Sequence, residues 1–212
     1  MNQKLLAVSE ALSKNRINAT VVNTKEDALK EVEKLLSEGA SVACGGSVTL
    51  SECGVIDLLK SGKYNFIDRL EAGISQEESE KRMRDAFSAD YYLASSNAVT
   101  ENGELYNVDG KGNRVSALSF GPKKVILVVG KNKIVKDIDE AILRVKTVAA
   151  PKNCVRLGIN SYCSNTGHCL SLTPDFKGCM TSHRICCDYT VTGYQREADR
   201  ISVILVNEDL GY

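Results

Sequence analysis

Six of the eight cysteines fall between Cys154 and Cys187, and both histidines, His168 and His183, lie in the same stretch. Thiols and imidazoles this close in the chain are the donor types that hold zinc or an iron–sulfur cluster. The segment reads CVRLGINSYCSNTGHCLSLTPDFKGCMTSHRICC, with cysteines at 154, 163, 169, 179, 186 and 187. Free buried thiols and a redox disulfide are the competing readings. The remaining two, Cys44 and Cys53, sit apart and read as small core residues rather than reactive thiols.

A second stretch with chemical promise is CGGSVTLSECG, Cys44 to Gly54. Glycines let a backbone approach a ligand closely, and a helix start offers free N–H groups to phosphate or carboxylate. On that reading Gly45, Gly46, Ser47 and Thr49 grip an anion. On the plainer one Gly45 and Gly46 make a turn and Ser47 caps a helix. Neither the dinucleotide fingerprint nor the P-loop is matched, since the spacing and the lysine are missing. A third stretch, SNAVTENGELYNVDGKGNR, carries Asn97, Thr100, Glu101, Asn107, Asp109 and Arg114. These could converge on one pocket or merely decorate solvated turns. Glu52, Glu101 and Asp109 are the weak candidates for general acid–base work; Glu52 equally suits a charge near a helix start.

The elements that must position these groups follow from periodicity. Leu5, Val8, Leu12 and Ile17 keep helical spacing, NATVV at 18–22 is a strand, and Thr24 with Asp27 opens a helix ending near Gly39. SVAC at 41–44 is a strand, TLSECGVIDLLKSG a helix, KYNFID a strand, and Ser75 with Glu78 a capping box. DYYLASS is a buried strand. Asn102-Gly103 and Asp109-Gly110 read as two hairpin turns, KKVILVVG as the core strand, and IDEAILRVKTVAA as a helix that Pro151 ends. DYTVTGY and RISVILVNE read as a closing hairpin after a cysteine-rich excursion at about 151–188. Alternating strands and helices over the first 95 residues predict an α/β fold. Its sheet would be mainly parallel with antiparallel additions, in a single domain spanning 1–212.

Composition narrows the function. Lysine plus arginine equals aspartate plus glutamate at 27 each, so there is no electrostatic case for nucleic acid or an anionic membrane. No stretch approaches the roughly 20 apolar residues of a membrane span, and the N-terminus lacks a secretory h-region. A cytoplasmic location and reduced thiols are the expectation.

GGSVTLSECGVIDLLKSGKYNFID, SSNAVTENGELYNVDGKGNRVSALSFGPKKVILVVGKNKIVKDIDEA and RISVILVNEDLGY resemble the LUD (lactate-utilisation) domain family over nearly the whole chain. The resemblance implies a fold like ribose-5-phosphate isomerase, glucosamine-6-phosphate deaminase and the CoA-transferases, α/β proteins with a Rossmann-like sheet. It implies a part in oxidising L-lactate or a related organic acid beside iron–sulfur oxidoreductase subunits, and it favours the anion grip over the plain turn. Relatives of this type show a TG-C-x-x-C run followed by R-I-C. Cys163, Thr166-Gly167, Cys169 and Arg184-Ile185-Cys186 fit that frame, while Leu172 stands where a cysteine belongs and Cys179 comes seven residues later. The implied ligand set for an iron–sulfur cluster or zinc is Cys163, Cys169, Cys179 and Cys186, with His168, His183 and Cys187 in reserve and Cys154 left over. Its spacings, x5, x9 and x6, follow no standard zinc or ferredoxin run. Two other functions stay open: a self-sufficient enzyme on a sugar-phosphate or acyl substrate, and a metal-dependent redox sensor. A homo-oligomer stays open as well.

Overall fold

A computed structural model describes residues 2–212. The chain begins with α1 (Gln3–Lys14), capped by the Asn2 side chain, which accepts from the Lys4 N–H. It buries Leu5, Val8 and Leu12 on one stripe. Then come β1 (Asn18–Val22) and α2 (Lys25–Leu35), whose cap is Thr24 accepting from the Asp27 N–H. Next is β2 (Ser41–Cys44). The single helix expected after it is two short ones, α3 (Val48–Glu52) and α4 (Val55–Leu59). Gly54 breaks them apart, at φ 73°, a conformation that costs a glycine little. β3 (Asn65–Ile67), α5 (Gln76–Asp85, capped by Ser75) and β4 (Tyr91–Ala94) complete the first half.

One expected hairpin forms, β5 (Ala98–Thr100) against β6 (Leu105–Asp109), antiparallel. The second does not. After Asp109 the chain enters α6 (Asn113–Phe120), because Asp109 Oδ2 accepts the Val115 N–H and so satisfies a donor of the helix's first turn. β7 (Lys124–Gly130) and β8 (Ile134–Val135) lead to α7 (Ile138–Arg144). Pro151 does not end that helix. A π turn at Val145–Ala149 widens the coil, and α8 (Ala150–Arg156) carries Pro151 in its first turn, where a missing N–H costs little. The chain therefore stays helical from Ile138 to Arg156. α9 (Tyr162–Thr166), β9 (Asp188–Thr192) and β10 (Ile201–Val206) follow.

The main sheet is six-stranded in the order β1-β10-β7-β4-β2-β3, and every pair in it is parallel. A smaller mixed sheet runs β8-β5-β6-β9. The expected closing hairpin is thus absent: β9 pairs antiparallel with β6 in the small sheet, while β10 threads between β1 and β7 in the large one. Composition explains the split. ISVILV is apolar almost throughout, as a strand buried on both faces must be, whereas DYTVT is largely exposed and suits an edge. Successive residues of β7 serve opposite faces. Val125, Leu127 and Val129 pack with Leu5, Val8 and Leu12 of α1, while Ile126 and Val128 pack with Ala28 and Val32 of α2.

The four adjacent strands β10, β7, β4 and β2 all point the same way. Their carboxyl ends release Leu210, Lys133, Ser95 and Gly45 at one edge of the sheet, the place where open α/β sheets bind ligands. Among the described residues no helix is long and apolar enough to cross a membrane.

Candidate functional site

The strand ends open on a cleft of about 360 Å3. Gly45 and Gly46 line it, but neither takes a left-handed conformation. Their small size matters instead. A Cβ on Gly45 would lie 3.0 Å from Arg114 Cδ and 3.3 Å from the Tyr92 hydroxyl, and one on Gly46 would lie 3.2 Å from Arg69 Nη2. The glycines clear space for two arginines. Ser47 does cap α3, accepting from the Leu50 N–H, but that helix is only one turn long and adds little dipole.

Arg114 is the hub of the polar cluster. Its Nε donates to Asp109 Oδ1 at 2.9 Å, Nη1 to Asn107 Oδ1 at 2.6 Å, and Nη2 to Asn97 Oδ1 at 2.9 Å. Further donations reach the carbonyls of Ser95 and Val108. Asn97, Asn107, Asp109 and Arg114 therefore do converge, yet they chiefly satisfy one another. Asp109 is held in an ion pair and a helix cap, which leaves it little capacity as an acid–base group.

The other two carboxylate candidates stand outside the cleft. Glu101 pairs with Lys4 on the surface at 2.9 Å, and Thr100 donates to the Glu104 carboxylate within the β5–β6 turn. Glu52 accepts the Gly211 N–H at 2.7 Å and so ties down the C-terminal segment. Thr49 is buried and turned toward that same segment, donating to the Leu210 carbonyl.

The residue that the sequence reading missed is Lys133, three positions beyond the end of β7. It lines the cleft, is only 3% exposed, and donates to Thr49 Oγ1 at 2.8 Å and Ser95 Oγ at 3.0 Å. No carboxylate pairs with it among the described residues. Burial, reinforced by the cations Arg144 and Arg114 and only partly opposed by Glu52 and Cys53, pulls its amine down to about 7. Arg69 and Arg156 also line the cleft. Arg69 Nε is the one buried side-chain polar atom among the described residues without a hydrogen-bond partner, and Arg156 rests on Asn153 and the Tyr212 hydroxyl. In all, five basic side chains (Arg69, Lys111, Arg114, Lys133, Arg156) face one carboxylate side chain, Asp109, around the cleft. The position of Lys133 just past a core strand was the signal available in the sequence.

Gly211 lies at φ 57°, and a Cβ there would come within 2.6 Å of Thr49 Oγ1 and 3.4 Å of Lys133 Nζ. Gly211→Ala is expected to push Thr49 off Lys133 and to cost about 1–3 kcal/mol, a value that urea unfolding checks.

A second cavity, of about 380 Å3, lies on the other side of the π turn. Cys154, Cys163, Cys169, Cys179, Cys186 and His183 line it. Cys154, read from the sequence as left over, belongs to this group: its sulfur is 3.8 Å from that of Cys163. His168 does not line the cavity; its Nδ1 meets the Thr166 carbonyl. Cys187 is exposed, and its sulfur turns to the Arg184 carbonyl. Arg184 holds the loop, donating to the carbonyls of Cys186 and Cys179. Burial first, and then the neighbouring thiols, push Cys186 up to about 12. Among the described residues no three His, Cys, Asp or Glu side chains stand at metal-holding distances. The donor chemistry nonetheless suits a soft metal, with five thiols and an imidazole around one cavity. Cys44 and Cys53 stay in the core, and burial pushes them up to about 12 and 11 respectively. Val145, Ala150, Ile185 and Cys186 line both spaces, so the thiols and the basic cleft share a wall.

A LUD domain family model matches residues 5–206. No curated protein matches the chain. Among solved structures, the chain resembles a DUF162 family protein from Deinococcus radiodurans, with a TM-score of 0.53 at 16% identity and 96% of each chain covered. At that identity the likeness speaks for the fold. The family match extends from α1 to the end of β10 and takes in both the basic cleft and the thiol cavity: the chain belongs to the LUD domain family.

Proposed function

We propose that this protein binds a small organic-acid anion in the basic cleft and so supports oxidation of L-lactate or a related acid beside iron–sulfur oxidoreductase subunits. Membership of the LUD family supports a lactate-utilisation-like role at the level of the family. The observation that carries the finer reading is the pair of guanidinium groups left over at the cleft: among the described residues Arg69, with a buried unpartnered Nε, and Arg156 pair with no carboxylate, whereas Arg114 is engaged by Asp109 and Lys111 by Glu80. A buried N–H left without an acceptor is costly, and Arg69 itself is only half-buried, so a carboxylate or phosphate in the cleft has a guanidinium with unused donors to meet.

In the same reading the thiol cavity holds a zinc ion or an iron–sulfur cluster, with Cys163, Cys169, Cys179 and Cys186 as ligands and Cys154 and His183 beside them. A cluster there would supply one-electron chemistry next to the anion site. Anaerobic purification with metal and sulfide analysis tests this half. Stoichiometric metal lost on replacing Cys163 or Cys186 by serine supports it; a colourless, metal-free, fully folded protein contradicts it. A thermal-shift series with L-lactate, pyruvate and inorganic phosphate tests the anion half. Binding to the folded state alone must raise the unfolding temperature, and no shift at any concentration contradicts the reading.

The carboxylates count against the rival picture of Glu52, Glu101 or Asp109 as general acid–base groups on a sugar-phosphate or acyl substrate. Two stand outside the cleft and the third is tied to Arg114.

A further inference from the structure

We propose that Lys133 forms an imine with the carbonyl group of a small anionic oxo compound bound in the cleft, with Arg69 holding the compound's acid group. This rests on the reading of the cleft as an anion site and assigns it a reactive group.

The geometry supplies three requirements. First, the amine is where a ligand can reach it: Lys133 lines the same cleft as Arg69 and Gly46. Second, its surroundings suit the neutral amine. Thr49 Oγ1 already donates to the Leu210 carbonyl, so it accepts from Lys133, and Ser95 Oγ accepts the second N–H. Two acceptors match the two N–H bonds of a neutral amine and leave its lone pair free, whereas an ammonium would carry a third N–H. Third, no carboxylate stands against the nitrogen to hold it charged, and burial beside Arg144 and Arg114 lowers it to about 7, so that a substantial share of the amine is neutral near neutral pH. Nothing in the fold needs an amine at this point, since both hydroxyls lie where backbone carbonyls could occupy them.

The step balances without a co-reactant. The Nζ lone pair forms a bond to the carbonyl carbon, and the π pair of the C=O bond moves to oxygen. The two N–H protons then pass to that oxygen, with Ser95 Oγ in hydrogen-bond contact to relay them. The C–O bond breaks, water leaves, and a C=N bond remains. The carboxylate or phosphate of the ligand stays at Arg69 throughout. An oxo acid and a carbonyl phosphate share the required chemistry.

The test is reductive trapping on the full chain at pH 7. Pyruvate in one arm and glyceraldehyde 3-phosphate in another are incubated with cyanoborohydride, followed by intact-mass measurement and peptide mapping. The expected result is one reduced adduct on the peptide carrying Lys133, on the order of a hundredfold above any surface lysine, in whichever arm supplies the right acid group. L-lactate, which has no ketone or aldehyde group, is expected to suppress the adduct by occupying the cleft. Lys133→Arg is expected to abolish it, and Arg69→Ala to reduce it at least about tenfold. Because the wild-type map itself identifies the modified lysine, the outcome does not depend on the variants folding. Thermal shifts by L-lactate or phosphate without any Lys133 adduct in either arm would overturn the imine and leave the anion site standing. Adducts spread evenly over surface lysines would overturn it equally, and the absence of both shift and adduct would overturn both readings.

Discussion

Arg114→Met is expected to lower the stability of the protein by about 3–5 kcal/mol. The side chain is only 14% exposed and its partner Asp109 10%, so the pair is largely withdrawn from water. Removing the guanidinium takes the ion-pair partner from Asp109 Oδ1 and leaves the amide oxygens of Asn97 and Asn107 and the second Asp109 oxygen each with one backbone donor, the N–H groups of Val108, Asn97 and Val115. It also frees the carbonyls of Ser95 and Val108. The cost of a removed partner exceeds the value of the contact, because the remaining groups keep their desolvation penalty. For a chain of this size the loss corresponds to a fall of roughly 10 °C in unfolding temperature. Arg114→Lys is expected to recover little of it, since an ammonium cannot fork toward three oxygens in one plane. Calorimetric unfolding of the two variants checks both statements. A loss under about 1 kcal/mol would show that the network is not what joins the small sheet to α6.

Lys133→Met is expected to act in the opposite direction, raising stability at neutral and acid pH. Lys133 has an amine drawn down to about 7, against 10.5 in an ordinary setting. Below about pH 7 the folded state must hold a buried ammonium, at a cost on the order of 5 kcal/mol. The sign follows from proton counting. Between pH 7 and 10.5 the unfolded chain binds more protons at this residue than the folded one, so its contribution to stability grows as pH rises. Methionine removes the charge and keeps much of the volume. Ser95 Oγ loses its acceptor role while Thr49 Oγ1 keeps the Leu210 carbonyl, which returns about 1 kcal/mol of the gain. The expected net effect is a stabilisation of about 2–4 kcal/mol at pH 6. The difference should shrink steadily and approach zero near pH 10. Urea unfolding across that range tests it. A variant less stable than the wild type at every pH would mean that the amine is structural rather than a strained functional group.

Much of this fold was legible in the residues, and the failures have physical causes. α1, β1 and α2 follow from apolar spacing and from caps such as Thr24, which are local features. The closing strands depart from a hairpin because β9 and β10, adjacent in sequence, belong to different sheets. The distinction was nonetheless written in them: ISVILV has no polar alternation and belongs inside a parallel sheet, while DYTVT suits an edge. Pro151 misled because a π turn rearranges the coil just before it, an irregularity that no local pattern announces.

The site divided in the same way. Asn97, Asn107, Asp109 and Arg114 lie within one β-turn-helix unit, so their convergence was visible. Lys133, Arg69 and Arg156 come from three distant segments, and only the order of strands brings them to one edge. The thiols show both cases. Cys163, Cys169, Cys179 and Cys186 stood out by proximity, while Cys154 joined them only because the helix runs on through Pro151 and returns its face to the cavity.

The central claim, that the basic cleft is built for a small organic-acid anion, is met most directly by titration calorimetry of L-lactate and pyruvate into the wild-type protein and into Arg69→Ala. The predicted result is saturable binding of at least one acid to the wild type. Arg69→Ala should weaken it by at least about tenfold without lowering the unfolding temperature of the unliganded protein, because Arg69 Nε has no partner within the fold to lose. No saturable heat with either acid, or equal affinity in the two proteins, would contradict the account.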